Sequence, residues 1–324
     1  MISLQNWPCA ALFDADLSAK TTMHVGGRAE WLLEPADPEE LCAAYNAARE
    51  RGFVPRILGG GANLIVDDGR LPGVVITTDR MKRCFRPSLD GASALDHEGP
   101  RSNVAPAPPA SDPRLIAWAG ATLPSLVQNA SALGLSGLEC LAGVPGHLGG
   151  GVAMNAGGKW GELWDSLELV RVLEPDGSVR DLARAECTPR YRNGALGERV
   201  VVSAILKLVP ASVAAVREKT REYLSEKRRV QPVTEWSAGC VFKNPDPARS
   251  NGCSAGKLVD IAGLKGRVKG DALVSPLHGN FIINRGHATA TDVLALIEEV
   301  RAEVAAVTGV TLETEVKVWR AATC

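Results

Sequence analysis

Apolar residues recur with helical spacing in four parts of the chain, and each part is predicted to form a helix. Two of them, residues 38–51 and 124–133, have the pattern of short amphipathic helices, and Gly52 ends the first. The third, residues 211–229, is rich in charged side chains and fits a connection between two domains. The fourth covers residues 291–308.

Strand-like alternation and short apolar runs, bounded by Gly, Pro and Asp, fill much of the chain between these helices. The predicted strands are one within 21–35 after a turn at Gly26-Gly27, three within 54–78, one beginning at Leu115, a hairpin within 167–182, and single strands at 200–208, 280–284 and 310–319. No internal repeat is visible. Strands and helices mixed in this way indicate α+β or mixed α/β domains.

Composition narrows the class of protein. The 324 residues are enough for more than one domain. A net charge of −1 with 23 % charged residues gives no reason to expect nucleic acid or an anionic membrane as a partner. Neither the eight cysteines nor the five histidines have the spacing of a metal site. With no signal-peptide pattern and no apolar run of bilayer length, the sequence predicts a soluble cytoplasmic protein.

The chain is organised around a glycine-rich stretch at residues 141–158, in which seven residues are glycine. Bare backbone at this density is expected where a ligand approaches the chain closely or where positive φ angles are required. A phosphate or a flat ring held by main-chain N–H groups meets that need. A flexible linker is the alternative, but interleaved apolar residues such as Val144 and Leu148 are unlike a Gly/Ser tether.

A second glycine cluster, Gly59-Gly60-Gly61, stands between two predicted strands. A Rossmann dinucleotide fingerprint is rejected, because its glycine turn must open a helix and residues 63–66 have a strand pattern. A phosphate cradle between two strands is favoured over a plain hairpin turn.

Between Arg86 and Pro113 the composition changes to Pro, Ala, Ser and charged residues, with few large apolar side chains. This pattern is typical of a disordered or loosely held surface insertion. Its APAPPA segment could serve as a ligand for a proline-binding module, although a spacer is the favoured interpretation.

Seven segments share one order and compatible separations with a known family: LGGGANLIV, GVPGHLGGGVAMNAGG, YRNG, QPVTEWSAGCVFKNP, AGKLVDIAGLKG, HGNFIINRGHATATDV and LETEVKVW. Together they resemble UDP-N-acetylenolpyruvoylglucosamine reductases, flavoenzymes of bacterial peptidoglycan precursor synthesis. Each segment alone is weak evidence for the family, but the seven segments in the same order are specific for it. The resemblance covers residues 21–319 apart from the insertion, and the short loop after Tyr191-Arg192 is similar to the compact, type II branch.

The resemblance implies an α+β fold with two FAD-binding subdomains of the PCMH/VAO type and a C-terminal α+β substrate domain. The implied division is an N-terminal extension at 1–20, FAD subdomains at 21–83 and 114–210, an insertion at 84–113 and a substrate domain at 211–320. The residues implied to wrap FAD are Gly59, Gly60, Gly61, Ala62, Asn63, Val144, Pro145, Gly149, Gly150, Asn155 and Ala156. No metal is expected.

The implied reaction is the NADPH-dependent reduction of UDP-N-acetylglucosamine enolpyruvate to UDP-N-acetylmuramate through bound FAD. Negative charge that develops at the α-carbon spreads into the substrate carboxylate, so the chemistry needs a cation there and a proton donor nearby. Arg192 matches the family's arginine that stabilises this enolate, and a planar guanidinium suits a carboxylate. Without the resemblance, Arg192 has the pattern of a solvated loop arginine.

Cys240 occupies the position at which the family more commonly has a serine proton donor. A thiol with a reference pKa of about 8.5 is mostly protonated near neutral pH and is more acidic than a hydroxyl. An active donor is favoured because the surrounding residues match the family, and it predicts sensitivity to alkylation and oxidation. Lost activity and a small buried hydrophobic role are the alternatives.

Glu315 matches the family's catalytic glutamate, but only the resemblance gives it that role. Strand alternation alone places it with Glu313 and Lys317 on a solvated face, opposite Val316 and Val318.

Asn244 matches a substrate-binding asparagine, and Tyr191 is expected to touch the substrate. Arg228 and Arg229, in the cluster Lys227-Arg228-Arg229, fit either a diphosphate site or the basic C-terminal end of a helix.

Two other functions are compatible with parts of the sequence. A different oxidoreductase on the same FAD fold would keep the glycine segments but would not need Arg192, Cys240, Asn244 and Glu315 together. A nucleotide-sugar-binding relic would explain Cys240 as a sign of decay. The expected partners are FAD, NADPH and the small-molecule substrate, and the expected oligomeric state is a monomer.

Overall fold

The computed structural model describes residues 6–87 and 112–321. The strands are β1 (Ala10–Asp16), β2 (Arg28–Glu34), β3 (Arg56–Leu58), β4 (Leu64–Val66), β5 (Arg70–Thr77), β6 (Cys84–Phe85), β7 (Arg114–Trp118), β8 (Leu135–Ser136), β9 (Gly157–Gly158), β10 (Gly161–Glu162), β11 (Leu167–Leu173), β12 (Val179–Ala183), β13 (Val200–Lys207), β14 (Val209–Pro210), β15 (Trp236–Cys240), β16 (Val268–Lys269), β17 (Ala272–Val274), β18 (Phe281–Asn284) and β19 (Lys317–Trp319). The helices are α1 (Pro38–Glu50), α2 (Leu123–Ala132), α3 (Leu148–Ala153), α4 (Val213–Val230), α5 (Pro247–Ser250), α6 (Ala255–Ile261) and α7 (Ala290–Thr308). All four helices predicted from the sequence are confirmed, as α1, α2, α4 and α7. Most of the predicted insertion lies outside the described residues.

Two compact units make up the chain. The first comprises residues 1–12, 32–60 and 74–226, and the second comprises residues 13–31, 61–73 and 227–324. A sheet of order β1-β2-β5-β3 includes a strand, β1, that lies within the N-terminal extension expected from the sequence.

The first unit is built on a five-stranded antiparallel sheet of order β12-β11-β13-β7-β6. Strand β13 lies at its centre, and its first seven residues are all buried, which explains their almost unbroken apolar run. The predicted hairpin is confirmed as β11 and β12, with Leu173 opposite Val179. Helix α2 and the glycine-rich stretch bury Leu126, Leu148 and Val152 in the same core.

Helix α1 begins where its sequence signals predict. Asp37 caps it by accepting a 2.8 Å hydrogen bond from the Glu40 N–H, and Pro38 occupies the first helical position. Leu41 and Ala48 lie on its buried face. The helix ends before Gly52, whose φ of 81° is the left-handed conformation that glycine adopts at low cost.

The second unit has its own core. An antiparallel sheet of order β15-β18-β17-β16 contributes Ile282 and Val274, helix α6 contributes Leu258, and helix α7 contributes Leu296 and Val300. The strands β4 and β19 form a separate parallel pair. None of the helices formed by residues 6–87 and 112–321 has both the length and the apolar character needed to cross a membrane.

The prediction of a regular strand over residues 310–319 is wrong. Only Lys317–Trp319 forms a strand, and Glu315 and Val316 are both buried, with 8 % and 4 % of their surfaces exposed. Strict alternation fails because the N–H groups of both residues point to one acceptor, the carbonyl of Val241, at 2.7 and 3.4 Å. Glu315 therefore does not lie on the solvated face that the alternation predicts.

The hairpin alternative for Gly59-Gly60-Gly61 is also wrong. Strand β3 before the glycines pairs in parallel with β5, whereas strand β4 after them pairs with β19. The glycines therefore connect strands of two different sheets, and no helix follows them, which agrees with the rejection of a Rossmann turn.

Candidate active site

Within the part of the chain that the structure describes, the main-chain N–H groups of residues 59–63 donate no hydrogen bond to another residue. Main-chain N–H groups without a protein acceptor are available to bind an anion. Gly61 is required here, because its φ is 59° and a Cβ would lie 2.3 Å from the Lys20 carbonyl oxygen. In the first unit, a Cβ on Gly60 would lie 2.8 Å from Gly146 Cα.

Neither a positive φ nor a steric clash within the protein requires glycine at positions 59 and 150. Neither has a positive φ, a Cβ on Gly150 would meet nothing within 4 Å, and one on Gly59 would make only ordinary contacts, the nearest at 3.8 Å. The two residues are neighbours, because the Cβ position of Gly59 lies 3.9 Å from the Gly150 nitrogen. Gly150 thus faces open space, which is what close approach of a ligand to the backbone requires.

The His147 side chain lies beside Gly59 and Gly60. Its ring is buried, its Nδ1 lies 3.1 Å from Thr78 Oγ1, and its Nε2 lies 3.8 Å from Asp79 Oδ1. Burial lowers the pKa of His147 despite the opposing charge of Asp79, which favours a neutral ring at neutral pH. Sequence reasoning assigned no role to His147, although its place in the GVPGHLGG segment was the available signal.

Arg192 lies at the tip of a tight turn in the first unit. The turn is closed by two hydrogen bonds between Arg190 and Asn193, of 2.7 and 3.0 Å, and Arg192 adopts a φ of 56° within it. A non-glycine residue in this left-handed region is strained by about 1–2 kcal/mol. The Arg192 Nη1 donates a 3.2 Å hydrogen bond to the Gly157 carbonyl, and the guanidinium lies 4.9 Å from the centroid of the Tyr191 ring.

Asn155 connects this turn to the glycine-rich stretch. Its side-chain Nδ2 donates to the Arg190 carbonyl at 3.2 Å and to Glu162 Oε2 at 2.5 Å, and it is almost fully buried. Gly194 completes the junction, since its N–H donates to the Ala153 carbonyl and a Cβ would lie 2.1 Å from the Val152 oxygen. The side-chain amide of a residue expected to bind FAD thus holds the arginine turn in place.

Cys240 is the last residue of β15, in the second unit. The ladder with β18 is irregular between Ser237 and Cys240, where Gly239 has a φ of 76°, and Cys240 is partly exposed opposite Phe281. Such bulges redirect a side chain from the regular alternation of a strand.

Within the second unit, Ala62 and Asn63 lie close to two segments, the end of β15 and the stretch around Glu315. A Cβ on Gly239 would lie 3.7 Å from the Ala62 carbonyl oxygen. Asn63 Nδ2 donates a 3.2 Å hydrogen bond to the Glu315 carbonyl. The structure therefore brings Ala62 and Asn63, expected at the cofactor, next to the segments that carry Cys240 and Glu315.

Sequence reasoning did not identify Asn280, whose side chain holds the backbone close to Cys240. It is buried, its Oδ1 accepts from the Phe242 N–H at 2.9 Å, and its Nδ2 donates to the Phe242 carbonyl at 2.8 Å. Its own carbonyl accepts from the Val241 N–H at 2.9 Å. Asn280 thus fixes the chain immediately after Cys240, and the HGN segment was the signal for it.

The residues expected to bind the substrate are all exposed but lie in different elements of the structure. Asn244 is exposed, and its Oδ1 accepts from the Ala255 N–H at 3.0 Å, so its amide oxygen contributes to the start of α6. Arg228 and Arg229 are exposed in the last turn of α4, which is the helix-end position considered as the alternative. Tyr191 is exposed beside Arg192.

Comparison with known proteins identifies the family of this chain. A family model described as "UDP-N-acetylenolpyruvoylglucosamine reductase, C-terminal domain" matches residues 231–319, and one described as "FAD binding domain" matches residues 29–183. The UDP-N-acetylenolpyruvoylglucosamine reductase of Moorella thermoacetica is 40 % identical over 310 residues, covering 95 % of this chain and 93 % of that protein. The chain belongs to the UDP-N-acetylenolpyruvoylglucosamine reductase family.

Two further members of the reductase family agree. The protein of that name from Deinococcus radiodurans is 40 % identical over 309 residues, covering 94 % of each chain. The crystal structure of the Thermus caldophilus enzyme superimposes with a TM-score of 0.74 at 35 % identity, covering 96 % of this chain and 98 % of that one. The expected fold class, with an FAD-binding part and a C-terminal α+β domain, is confirmed, and this reductase is an FAD-dependent oxidoreductase.

The residues of this reductase fit the FAD that its family implies. Gly150 leaves backbone open to a ligand, and main-chain N–H groups without a protein acceptor are available for a diphosphate. Val144 and Ala156 lie half-buried against the core of the first unit, while Pro145 is exposed and Gly149 packs on Ala119. Among residues 6–87 and 112–321, no group of three or more His, Cys, Asp and Glu side chains is placed to hold a metal ion.

Proposed function

We propose that this protein reduces UDP-N-acetylglucosamine enolpyruvate to UDP-N-acetylmuramate, with NADPH as the reductant. The observation that carries the proposal lies in the second unit. The Glu315 N–H donates to the Val241 carbonyl at 2.7 Å, so the buried glutamate is tied to the residue that follows Cys240. Two groups able to donate protons are thereby held by one short piece of backbone.

FAD, when bound, supplies the hydride chemistry that links NADPH to the vinyl group of the substrate. Its binding is assigned to Gly59, Gly60, Gly61, Ala62 and Asn63 and to Val144, Pro145, Gly149, Gly150, Asn155 and Ala156. For Asn155 the side chain serves the arginine turn, so its contribution to FAD is assigned to the backbone.

Arg192 is proposed to bind the substrate carboxylate. A guanidinium can offer two parallel N–H donors to a carboxylate, and the hydrogen bond from Nη1 to the Gly157 carbonyl orients this guanidinium. Charge that develops at the α-carbon delocalises into this carboxylate, where the fixed cation stabilises it. The left-handed backbone of Arg192 indicates that the turn is held in one conformation before substrate arrives.

Cys240 is proposed to deliver the proton to the α-carbon. Partial exposure at the end of β15 leaves the thiol accessible to a substrate, and Asn280 keeps the following backbone in place. Glu315 is proposed as the second catalytic group, which assists protonation and holds the enol form. The proton from Cys240, together with the hydride that bound FAD would supply, saturates the double bond, so the product is the lactyl ether.

Substrate binding is assigned to Tyr191, Asn244, Arg228 and Arg229, with the two arginines facing the diphosphate. The proposal includes a monomeric, cytoplasmic protein and the division into FAD subdomains at 21–83 and 114–210 and a substrate domain at 211–320.

Product analysis tests the proposal. The protein with FAD, NADPH and the enolpyruvyl nucleotide should consume NADPH and form a product that is two mass units heavier than the substrate, as one hydride and one proton require. Cys240→Ser should retain turnover and Cys240→Ala should lose about 10²–10⁴-fold, the usual contribution of a general acid. Equal turnover in all three proteins would remove Cys240 from the mechanism. The absence of product with wild-type protein would refute the substrate.

A further inference from the structure

Helix α4 lies mostly within the first unit and buries few apolar side chains there. Val216 is its only buried residue. Further along the helix, the Tyr223 ring stacks on Trp160, with ring centroids 4.3 Å apart and planes only 5° from parallel. Lys219 Nζ lies 5.7 Å from the Tyr223 centroid and also 3.7 Å from the buried carboxylate of Glu139.

Trp160 and Lys159 form the two-residue turn of the β9–β10 hairpin, and both reach α4. Lys159 pairs with Glu226, while its ammonium lies 4.7 Å from the centroid of the Trp160 ring. The Trp160 ring also packs against the core of the first unit. Because both side chains of this turn contact the same helix, they hold the turn against the helix more firmly than either contact would alone.

The other end of the same hairpin is joined to the Arg192 turn directly by one hydrogen bond and indirectly through the Asn155 side chain. The carbonyl of Gly157, in β9, accepts the hydrogen bond of Arg192 Nη1. The carboxylate of Glu162, in β10 and opposite Gly157, accepts from Asn155, which also donates to the Arg190 carbonyl. The hairpin therefore links α4 to the guanidinium through side-chain contacts at its turn and a hydrogen bond at its other end.

We infer that the Trp160–Tyr223 stack is a positioning device for Arg192, which acts through the β9–β10 hairpin. With the stack in place, the Gly157 carbonyl is fixed and orients the guanidinium towards a carboxylate. Without it, the hairpin moves relative to the turn, and misplacement of a catalytic group by about 1 Å is enough to cost about 10²-fold in rate. The inference rests on the carboxylate-binding role proposed for Arg192.

The test compares Tyr223→Leu, which removes the aromatic stack, with Tyr223→Phe, which keeps it. Single-turnover kinetics separate flavin reduction by NADPH from flavin reoxidation by the enolpyruvyl nucleotide. Tyr223→Leu should slow reoxidation about tenfold or more and leave reduction within about twofold of wild type, whereas Tyr223→Phe should match wild type in both. A structural role alone would lower the melting temperature of Tyr223→Leu with both rate constants unchanged or equally reduced, and that result overturns the inference.

A double variant shows whether the effect passes through Arg192. In an Arg192→Lys background, Tyr223→Leu should add little further loss of reoxidation rate, because the group that the stack orients is already changed. Fully additive losses contradict the inference.

If Arg192→Lys alone leaves the rate of flavin reoxidation unchanged, the role proposed for Arg192 is wrong. A second measurement then tests whether the Trp160–Tyr223 stack positions the Arg192 side chain. The nitrogen-15 Nε–H resonance of Arg192 is identified as the signal that disappears in Arg192→Lys. A shift or broadening of this resonance in Tyr223→Leu, but not in Tyr223→Phe, supports positioning. An unchanged resonance in Tyr223→Leu refutes it.

Discussion

The main-chain N–H of Glu315 donates a 2.7 Å hydrogen bond to the carbonyl of Val241, directly beside Cys240. Because the Val241 N–H is itself bonded to Asn280, one residue connects Glu315, Cys240 and the second-unit core. The backbones of the two proposed catalytic residues are thus held close to each other by main-chain hydrogen bonds.

Asn280→Ala should destabilise the protein by about 1–3 kcal/mol. The substitution leaves the buried N–H and carbonyl of Phe242 without their side-chain partner, and this is the usual cost of such orphaned groups. Urea unfolding measures the loss, with Gln128→Ala on the exposed face of α2 as a control that should change little. A loss no larger than that of the control would show that Asn280 does not fix this segment.

Gly150→Ala should weaken FAD binding without weakening the apoprotein. The Cβ position faces open space within α3, where alanine favours the helix by about 0.5–1 kcal/mol, so unfolding of the apoprotein should become slightly harder. FAD affinity should fall by about tenfold or more, which corresponds to about 1.4 kcal/mol.

Gly158→Ala is the matched control for that experiment, because its Cβ would also meet nothing within 4 Å and the residue lies outside the expected FAD segments. Its FAD affinity should equal that of wild type. Unchanged FAD affinity in Gly150→Ala as well would mean that the open backbone of α3 is not the cofactor surface.

Iodoacetamide should inactivate the wild-type protein and spare Cys240→Ser. The Cys240 thiol is partly exposed, whereas burial raises the pKa of the Cys84 thiol to about 11 and keeps it protonated and unreactive. Cys253→Ser is the matched control, since Cys253 is also partly exposed but has no proposed role, and it should stay sensitive. Equal inactivation of wild type and Cys240→Ser would place the reactive thiol elsewhere.

Stability should decline as the pH falls below about 6.5. Burial lowers the pKa of both His147 and His278 in the folded protein, with Lys265 adding to the effect at His278. Below the unfolded value of 6.5 the unfolded chain therefore binds more protons than the folded one, and protonation favours unfolding. At higher pH both states are neutral at these sites and the contribution is fully present.

Urea unfolding at about pH 7.5 and about pH 5.5 checks this linkage. The double variant His147→Asn, His278→Asn should show a smaller decline than wild type, and His287→Asn, at an exposed position, should show the same decline. A decline that is identical in all three proteins would assign the pH dependence to other groups.

The sequence predicted the regular elements well because their signals are local. Asp37, Pro38 and Gly52 mark the ends of α1 by capping and backbone preference, and the apolar run of β13 follows from burial in the centre of a sheet. The extended stretch around Glu315 was misjudged, because its side chains are set by hydrogen bonds to Val241 rather than by a strand ladder.

The site could be predicted only in part, because many of its contacts are not local in the sequence. Glycine density and the family resemblance indicated candidate residues for the cofactor, since missing side chains leave a trace in the sequence. The supporting contacts of Asn280, His147 and the Trp160–Tyr223 stack join residues far apart in the chain. No local pattern encodes such contacts, so they emerge only from the fold.

The most direct test of the account is an anaerobic visible spectrum of the purified protein, recorded first alone, then with NADPH, and then with UDP-N-acetylglucosamine enolpyruvate. The account predicts a yellow flavin that bleaches with NADPH and regains its colour when the enolpyruvyl nucleotide is added. A flavin that bleaches and stays bleached would contradict the proposed substrate or the role of Cys240. A protein that shows no flavin, even after FAD is supplied, would contradict the assignment of the glycine-rich backbone as the cofactor surface.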